Sequence, residues 1–435
     1  MHRMQRAAPP DEGELVFLFP LVYRPHKPNF AGQFRLLSRW YRGHIVALSG
    51  SRQRHLPVSN FHFHSEIFGK RAILRVLLAL WTQVAIPFRL LWRRARGVVI
   101  IAYDPYKSGL AACALKYLLR SKIIVQLNGD YHRAEPGRLS VKQRIMRFVF
   151  GLTLRRADAI KVLNIDQEAF CRRVFPGKPV YRFPDFVATD YFGSLETYQG
   201  DYLLSIGHPF DLKGVDLLIA AFLRIADQHP RIHLRIMGYC PPRDEASYRA
   251  LAQGHPRIHF VQPGWIEDVA EQIRGCYALV NAARSEAMGR VHIEAMACGK
   301  PIVASRTNGA LQCIRDGQTG LLCERENAED LAAKLDALLS NPRRADQMGQ
   351  AGRQFAHESF SEEVFLQAYR TMLTEVSRTG STDEPSPFFP LKQDSPHASR
   401  TTTAERAAGD CIRSRDAAYH HGGVPQGNGA QRVVS

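Results

Sequence analysis

Residues 285–305 read SEAMGRVHIEAMACGKPIVAS, and this stretch gives the clearest indication of the fold of the chain. Its middle has the apolar spacing of an amphipathic helix, which we expect to begin at Gly289 and to end at Gly299, because glycine is favoured just past a helix end. The apolar run Ile302–Ser305 follows and predicts a buried strand. A helix that leads into a buried strand is the repeating unit of a parallel sheet with helices on both faces.

Two glutamates flank the start of this helix and define its chemistry. Glu286 lies just outside the predicted N-terminus, and Glu294 lies about one turn inside it. The N–H groups near Gly289, Arg290 and Val291 form a candidate anion site, since the first turn of a helix leaves its N–H groups without intrahelical acceptors. A sugar nucleotide requires this set: a carboxylate for the sugar hydroxyls, N–H donors for the diphosphate and a carboxylate for the ribose.

Short apolar runs alternate with helical patterns through the rest of the second half, which predicts a parallel sheet whose ligands bind at the carboxyl ends of the strands. The predicted strands cover 202–206, 233–237, 258–261 and 277–281, and the predicted helices cover 215–228, a segment after Pro242, and 267–274. The first half has a weaker version of the same pattern. Its predicted strands cover 15–20, 44–48, 98–103 and 123–127, with a helix that leads into a strand at 156–162.

The stretch 285–305 resembles the Glu-x7-Glu signature of the retaining glycosyltransferases of group 1, family 4, whose members share the GT-B fold. The segment DGQTGLL at 316–322 also matches that family's pattern. The resemblance implies an α/β protein with two Rossmann-like domains that face a central cleft. We expect an acceptor-binding domain over 1–195, a nucleotide-sugar-binding domain over 196–360, a helix over 361–377 that returns to the first domain, and a disordered tail over 378–435.

The segment SIGHPFDLKGV at 205–215 resembles the loop with which this family holds the donor diphosphate through an arginine and a lysine. Gly207 and Lys213 match the pattern, but His208 stands where the arginine would be. A histidine is near neutral at pH 7 unless a partner raises its pKa. Arg290 and Arg284 are the candidates for supplying the missing charge.

The resemblance implies a role for each of these residues. We expect Glu286 and Lys213 to be the catalytic pair, with Lys213 and the helix N–H groups stabilising the charge that develops on the departing nucleoside diphosphate. Glu294 would bind the ribose and Glu286 a sugar hydroxyl. Trp265 follows a predicted strand at the position where relatives contact the base, and it either stacks on the base or packs in the core.

The acceptor side is less clearly defined by the sequence. Gly32 belongs to a glycine-bearing turn and helix after the first predicted strand. The segment from Asn128 through Asp130 to His132 ends another strand, where relatives often carry a histidine near the sugar. Asn128 replaces that histidine, and His132 either substitutes for it or is an exposed loop residue.

Composition and motifs limit which metals and cofactors the sequence indicates. Hydrophobic residues make up 45% and charged residues 23% of the 435 residues, which is typical of a globular protein. The eight cysteines include no Cys-x-x-Cys pair, so neither a zinc site nor a redox pair is indicated, and a reducing cytoplasm is favoured. The chain contains neither Asp-x-Asp nor Gly-x-Gly-x-x-Gly. The family resemblance implies a metal-independent enzyme, and we expect no metal and no cofactor, with a UDP- or GDP-sugar as the favoured donor.

Charge points to a partner for the first half. Residues 1–200 hold 32 Lys and Arg against 13 Asp and Glu, whereas the remainder holds 26 against 28. A basic region of this kind suits an anionic surface. The arginines at 89, 93, 94 and 96 follow an apolar stretch that contains Trp81 and Trp92, and this is either an interfacial helix on anionic lipid or a core helix with a solvated basic end.

No signal peptide is visible, and the apolar region 72–92 is too interrupted to span a membrane. We expect a cytoplasmic enzyme, peripheral on the inner face of the membrane, that moves a hexose to a lipid-linked or polysaccharide acceptor. The alternatives are a sugar-nucleotide epimerase of the same fold and a non-catalytic nucleotide-sugar or carbohydrate-binding protein. A nucleic-acid binder is not expected, because no recognition helix, zinc-finger spacing or RNA-binding aromatic motif accompanies the basic charge.

Overall fold

The computed structural model describes residues 13–22, 28–49, 55–67, 72–92, 97–129, 140–194, 196–198, 200–262 and 266–378. All of them fall within one compact unit, Met1–Phe389, and the second unit, Pro390–Ser435, lies outside the described residues. The tail predicted over 378–435 also lies outside them, apart from Arg378. Three predicted site residues lie outside them as well: Asp130, His132 and Trp265.

The first half is built on a sheet of eight described strands: β1 (Glu14–Val22), β2 (Arg42–Ser49), β3 (His55–Val58), β4 (Phe61–Ile67), β5 (Val99–Ala102), β6 (Lys122–Leu127), β7 (Ala159–Val162) and β8 (Val180–Arg182). Their order across the sheet is β3-β4-β2-β1-β5-β6-β7-β8. β3 is antiparallel to β4, and the other neighbouring pairs are parallel. The sequence predicted the parallel strands β1, β2, β5, β6 and β7 but not the β3–β4 hairpin.

Helices cover both faces of this sheet: α1 (Pro28–Leu37), α2 (Ala72–Leu91), α3 (Lys107–Leu119), α4 (Val141–Arg156), α5 (Ile165–Val174) and α6 (Thr189–Gly193). α2, α3 and α4 share one apolar core with one face of the sheet. On the other face, α1 packs together with the last described helix, α14 (Glu362–Arg378), around Phe17, Phe34 and Tyr369. The last helix therefore belongs to the core of the first half.

The second half is an all-parallel sheet whose six described strands are β9 (Tyr202–Ile206), β10 (His233–Met237), β11 (Ile258–Val261), β12 (Ala278–Asn281), β13 (Ile302–Ser305) and β14 (Leu321–Cys323). Its helices are α7 (Val215–Ile225), α8 (Pro242–Leu251), α9 (Ile266–Gly275), α10 (Arg290–Ala297), α11 (Asn308–Cys313), α12 (Ala328–Leu339) and α13 (Pro342–Phe360). The sequence placed β9, β10, β11 and β13 with the observed bounds. α7 ends at Ile225, three residues before the predicted end.

The strand order of the second sheet, β11-β10-β9-β12-β13-β14, fixes where a ligand can bind. β9 pairs with β10 on one side and with β12 on the other, so the chain runs in opposite directions across the sheet from this point. A crevice opens at the carboxyl ends of the two central strands in such folds. Gly207 follows β9, and the loop that carries Glu286 follows β12, so both predicted motifs lie at this crevice.

The two Rossmann-like halves confirm the expected fold class. Within the described residues, no helix combines the length and the apolar character that crossing a membrane requires.

Candidate functional site

Two loops of the second half are tied together at the crevice. The N–H of Arg284, after β12, donates to the carbonyl oxygen of Leu212, after β9, at 2.9 Å. This contact brings Lys213 and Glu286 side by side although 73 positions separate them in the chain. Gly207 allows the same approach, because a Cβ there would lie 2.6 Å from Cε of Lys213.

Lys213 and Glu286 form an ion pair at the centre of the site. Nζ of Lys213 donates to Oε2 of Glu286 at 2.6 Å, and the two side chains are only 17% and 18% exposed. Burial of Glu286 by itself raises its pKa, but the charge and hydrogen bond of Lys213, together with the N–H of Gly289, outweigh it and lower the pKa of this carboxyl. The structure therefore joins the two predicted catalytic residues as a cation and a carboxylate.

The N-terminus of α10 opens beside this pair. Gly289 is the N-cap residue and has no side chain with which to cap the helix, and its own N–H donates to the Glu286 carboxylate. Arg290 is exposed at the first helical position, and Val291 follows it. The uncapped N–H groups and the positive end of the helix dipole suit an anion. The phosphate-binding role of Gly289, Arg290 and Val291 stays a prediction.

Glu294, the second carboxylate of the signature, is buried in α10 and contacts the first half. Its Oε1 accepts a hydrogen bond at 3.0 Å from Nδ2 of Asn29, and Oδ1 of Asn29 accepts from the N–H of Ala188 at 3.1 Å. Burial raises the pKa of Glu294, against the opposing effects of Arg290 and the Asn29 hydrogen bond. A ribose bound by Glu294 would share this carboxylate with Asn29, a residue that the sequence reasoning missed.

The cations near the predicted diphosphate site differ in whether they are already paired. Arg284 makes a two-point ion pair with Asp216, at 3.0 and 2.8 Å, which the sequence did not indicate. Arg290 forms no ion pair within 4.0 Å among the residues that the structure describes. His208, at the position of the family's arginine, is exposed. Of the two candidates for the missing charge, Arg290 is therefore the better placed.

The first half contacts the signature loop from the carboxyl ends of its own strands. Nδ2 of Asn164, after β7, donates to the carbonyl oxygen of Ala287 at 2.9 Å. The N–H of Asp185, after β8, donates to Sδ of Met288 at 3.3 Å. The carboxyl edges of the two sheets thus face each other across residues 286–294, as the expected cleft requires.

A buried charge lies at this contact. Lys161 is fully buried in β7 and pairs with Asp185 at 2.5 Å. Burial lowers the pKa of Lys161, Asp185 opposes this, and the nearby Arg290 adds to the lowering. The signal for this residue was present in the sequence as a single lysine within the otherwise apolar strand 159–162, but only the structure supplies its partner.

The acceptor-side predictions have separate outcomes. Asn128 directly follows β6. Its Nδ2 donates to the carbonyl oxygen of Tyr103 at 3.2 Å, and its buried Oδ1 has no partner among the described residues. Gly32 lies within α1, where a Cβ would meet the ring of Phe186 at 2.8 Å, so its smallness serves packing there. Gly32 also lines a cavity of about 320 Å³ bordered by Arg35 and Glu362. Asp130 and His132 lie outside the described residues.

Across the part of the chain that the structure describes, no group of three or more His, Cys, Asp or Glu side chains could hold a metal ion. The described cysteines are free and buried: Cys113, Cys171, Cys240, Cys276, Cys298, Cys313 and Cys323. The site therefore offers a carboxylate, an ammonium group and helix N–H groups as its chemical groups.

Comparison with known proteins agrees with this arrangement. Residues 190–355 match the family model of the group 1 glycosyl transferases. An uncharacterised glycosyltransferase of Methanocaldococcus jannaschii is 31% identical over 181 residues, which cover 41% of this chain and 50% of that protein. A D-inositol 3-phosphate glycosyltransferase of Pseudarthrobacter chlorophenolicus is 33% identical over 155 residues, which cover 34% of this chain and 37% of that one. The chain spans about half or less of these curated relatives.

Two solved structures resemble the whole arrangement of the halves. Sucrose-phosphate synthase from Thermosynechococcus elongatus superposes with a TM-score of 0.68 at 20% identity, covering 83% of this chain and 100% of that one. HepE of Anabaena, solved in complex with UDP-glucose, superposes with a TM-score of 0.62 at 14% identity, covering 83% and 99%. At this identity the likeness shows the fold alone, which is the GT-B fold.

Proposed function

We propose that this chain is a retaining, metal-independent glycosyltransferase that moves a hexose from a nucleoside diphosphate sugar to a lipid-linked or polysaccharide acceptor in envelope or exopolysaccharide synthesis. The observation that carries the proposal is the 2.6 Å pair of Lys213 and Glu286 beside the uncapped N-terminus of α10. An ammonium group, helix N–H groups and a carboxylate at one crevice match the charges and hydroxyls of such a donor. The match of residues 190–355 to group 1 glycosyl transferases supports the same reading.

The donor would bind with its diphosphate between Lys213 and α10. In the structure Lys213 is held by Glu286, so the ammonium group already lies at the crevice and would pass from the carboxylate to the diphosphate when the donor binds. As the glycosidic bond breaks, charge grows on the departing diphosphate, and preoriented donors stabilise that charge with little reorganisation. Glu286 is then free to accept from a sugar hydroxyl. We assign it no covalent bond to the anomeric carbon, and retention would follow from attack on the face from which the diphosphate leaves.

The nucleotide is proposed to be uridine or guanosine diphosphate. HepE, which shares this fold, was solved with UDP and with UDP-glucose, and this favours the first. Arg290 would supply the second positive charge that His208 does not. No other cofactor is proposed.

The acceptor is proposed to approach on the first half from an anionic membrane surface. α4 exposes an apolar stripe at the i, i+4, i+7 spacing of one helix face, with Val141, Ile145 and Phe148 being 73%, 58% and 70% exposed. α4 has no acidic residue, and exposed basic residues flank the stripe: Lys142, Arg144 and Arg147. An apolar stripe with a basic border is typical of a helix that lies in the interface of an anionic membrane.

α2, which packs on the same face of the sheet as α4, exposes Trp81, and the exposed Trp92 directly follows its last residue. The arginines at 93, 94 and 96 lie outside the described residues. The proposed location is therefore cytoplasmic and peripheral on the inner leaflet.

The experiment that tests the activity is a donor screen. Hydrolysis and transfer are measured with UDP-, GDP- and ADP-sugars for the wild type, Glu286→Gln and Lys213→Ala. The matched control is Glu329→Gln, which breaks a surface ion pair with Arg224. We expect turnover of one donor class and a loss of roughly 10²–10³ in rate for Lys213→Ala. Thermal stabilisation by a nucleotide without any turnover would instead favour the non-catalytic binding protein.

The membrane part has its own test. Co-sedimentation is measured with vesicles of phosphatidylcholine alone and of phosphatidylcholine with phosphatidylglycerol, for the wild type and for the double variant I145S/F148S. We expect binding that requires the anionic lipid and is lost in the variant. Equal binding to both vesicles, or no effect of the substitutions, would refute this surface.

A further inference from the structure

His292 is a buried histidine whose two ring nitrogens are in different situations. The residue is fully buried in α10, and its Nε2 lies 2.9 Å from Nδ2 of Asn281. Oδ1 of Asn281 accepts from the N–H of Ala283 at 3.1 Å, which fixes the amide so that its Nδ2 donates toward the imidazole. Nε2 of His292 is therefore the acceptor, and the proton lies on Nδ1.

That Nδ1–H has no acceptor among the described residues. Buried donors are almost always paired, and a donor left unpaired in a native structure calls for an explanation. An apolar side chain would fill the same position without the penalty, and the neighbours Val291 and Ile293 are apolar. The hydrogen bond with Asn281 accounts for Nε2, whereas neither it nor packing accounts for the Nδ1–H.

The position of the unpaired nitrogen indicates its use. A Cβ on Gly289 would lie 2.3 Å from Nδ1 of His292, so the ring packs directly against the Gly289 turn. The N–H of Gly289 donates to the carboxylate of Glu286, and Glu286 and His292 interact electrostatically. The unpaired donor therefore lies next to the carboxylate that Lys213 holds in this structure.

We propose that His292 is a positioning residue whose Nδ1–H holds the Glu286 carboxylate when Lys213 leaves it for the donor diphosphate. The inference rests on the proposed function, because it requires that Lys213 move to an anion. A buried carboxylate that loses its ammonium partner needs another donor to remain ionised. A neutral imidazole supplies one and adds no second positive charge near the diphosphate.

The protonation state of the ring fits this role. Burial lowers the pKa of His292 to about 4, with Glu286 opposing the shift and Lys213 adding to it. The ring is therefore neutral throughout the physiological range. The described titratable groups that interact with Glu286 are Lys213 from the loop after β9, His292 from α10 and Cys313 from α11.

The test compares two variants that both remove Nε2. His292→Asn keeps a donor near the place of Nδ1, and His292→Leu removes it at similar volume. We measure kcat, KM and the pH profile of kcat with the sugar nucleotide that the wild type turns over, with thermal unfolding to show that both variants fold. Loss of one hydrogen bond to a charged group predicts that His292→Leu lowers kcat roughly 10- to 100-fold with little change in KM. We expect its acid limb to move to higher pH and His292→Asn to recover most of the rate.

Equal kcat and equal pH profiles for the two folded variants would overturn the assignment. A second readout needs no turnover: the ¹⁵N shifts of the His292 ring are recorded with and without UDP as the diphosphate probe. We expect the Nδ1–H tautomer in both states and a change at Nδ1 when UDP binds. An Nε2–H tautomer, or a ring that is insensitive to bound UDP, would refute the inference, whereas failure of the proposed function appears separately as a wild type that turns over no donor.

Discussion

Replacing Glu286 by glutamine is expected to tighten nucleotide binding while it lowers the rate of transfer. In the structure the Lys213 ammonium group is engaged by the Glu286 carboxylate at 2.6 Å, so an incoming diphosphate has to compete for it. Glutamine keeps the shape and removes the competing charge. A residue that only bound substrate would have the opposite effect on affinity, so the sign of the change is diagnostic.

The magnitude follows from the burial of the pair. A surface ion pair contributes about 0–1 kcal/mol, whereas a hydrogen bond to a charged group contributes about 1.5–3 kcal/mol. With side chains 17% and 18% exposed, the Lys213–Glu286 pair lies nearer the second range. Because the released ammonium group regains some hydration and the diphosphate also binds α10, we expect roughly tenfold tighter binding of UDP, which corresponds to about 1.4 kcal/mol.

Calorimetric titration with UDP at fixed ionic strength measures the effect. Lys213→Met should weaken UDP binding by roughly 10- to 100-fold, because a charge-assisted hydrogen bond is lost. Glu329→Gln breaks the exposed pair with Arg224 at 3.1 Å, which includes none of the proposed site residues, and should leave the affinity unchanged. If Glu286→Gln weakened UDP binding as Lys213→Met does, the ion pair would not be a competitor of the diphosphate, and the reasoning would be wrong.

Three further changes test the surroundings of the pair. Gly207→Ala would place a Cβ 2.6 Å from Cε of Lys213 and should weaken UDP binding. The control Gly254→Ala also replaces a glycine at positive φ, but nothing lies within 4 Å of its new Cβ. It should lower the free energy of unfolding by about 1 kcal/mol in chemical denaturation and leave UDP binding unchanged. Because burial raises the pKa of Glu294, the folded state loses stability as pH rises above 4.5, so Glu294→Gln should raise the Tm relative to wild type more at pH 8 than at pH 4.5. The pKa of His292 is about 4 in the folded state against 6.5 as its ordinary value, so the protein should lose about 3 kcal/mol of stability as pH falls from 6.5 to 4. Urea unfolding of His292→Leu at a series of pH values should not show this loss.

The strands of the second half could be predicted from sequence because they are short apolar runs that are followed by glycine, proline or polar residues. β10 and β11 have the predicted bounds for this reason. The hairpin of β3 and β4 was missed, although Phe61 and Phe63 are buried and alternate with His62 in a strand-like period of two. The histidines of β4, in a first half rich in basic residues, did not indicate a strand in the sequence. The pairing of β4 with β2 makes this segment part of the sheet.

Candidate site residues could be predicted only where they belong to a motif on one continuous stretch of sequence. Lys213 and Glu286 were each placed by local pattern, and a strand order that brings β9 beside β12 joins them. Asn29 has no local pattern that points to Glu294, since 265 positions separate the two residues. Asn164 likewise reaches Ala287 across 123 positions. Contacts between two halves depend on how the halves pack, and no periodicity within either half encodes that.

These contacts give α10 a role that neither half has alone. Its first turn faces the proposed diphosphate site, its middle is held by Asn29 from the first half, and the loop before it is held by Asn164 and Asp185. A shift of the first half on acceptor binding would therefore move the loop that carries Glu286. Because Glu286 in turn holds Lys213, the position of the first half is linked through hydrogen bonds to the cation that is proposed to stabilise the leaving group. If the proposed function is correct, both substrates would set the position of this cation, and we expect little hydrolysis of the donor before the acceptor is in place.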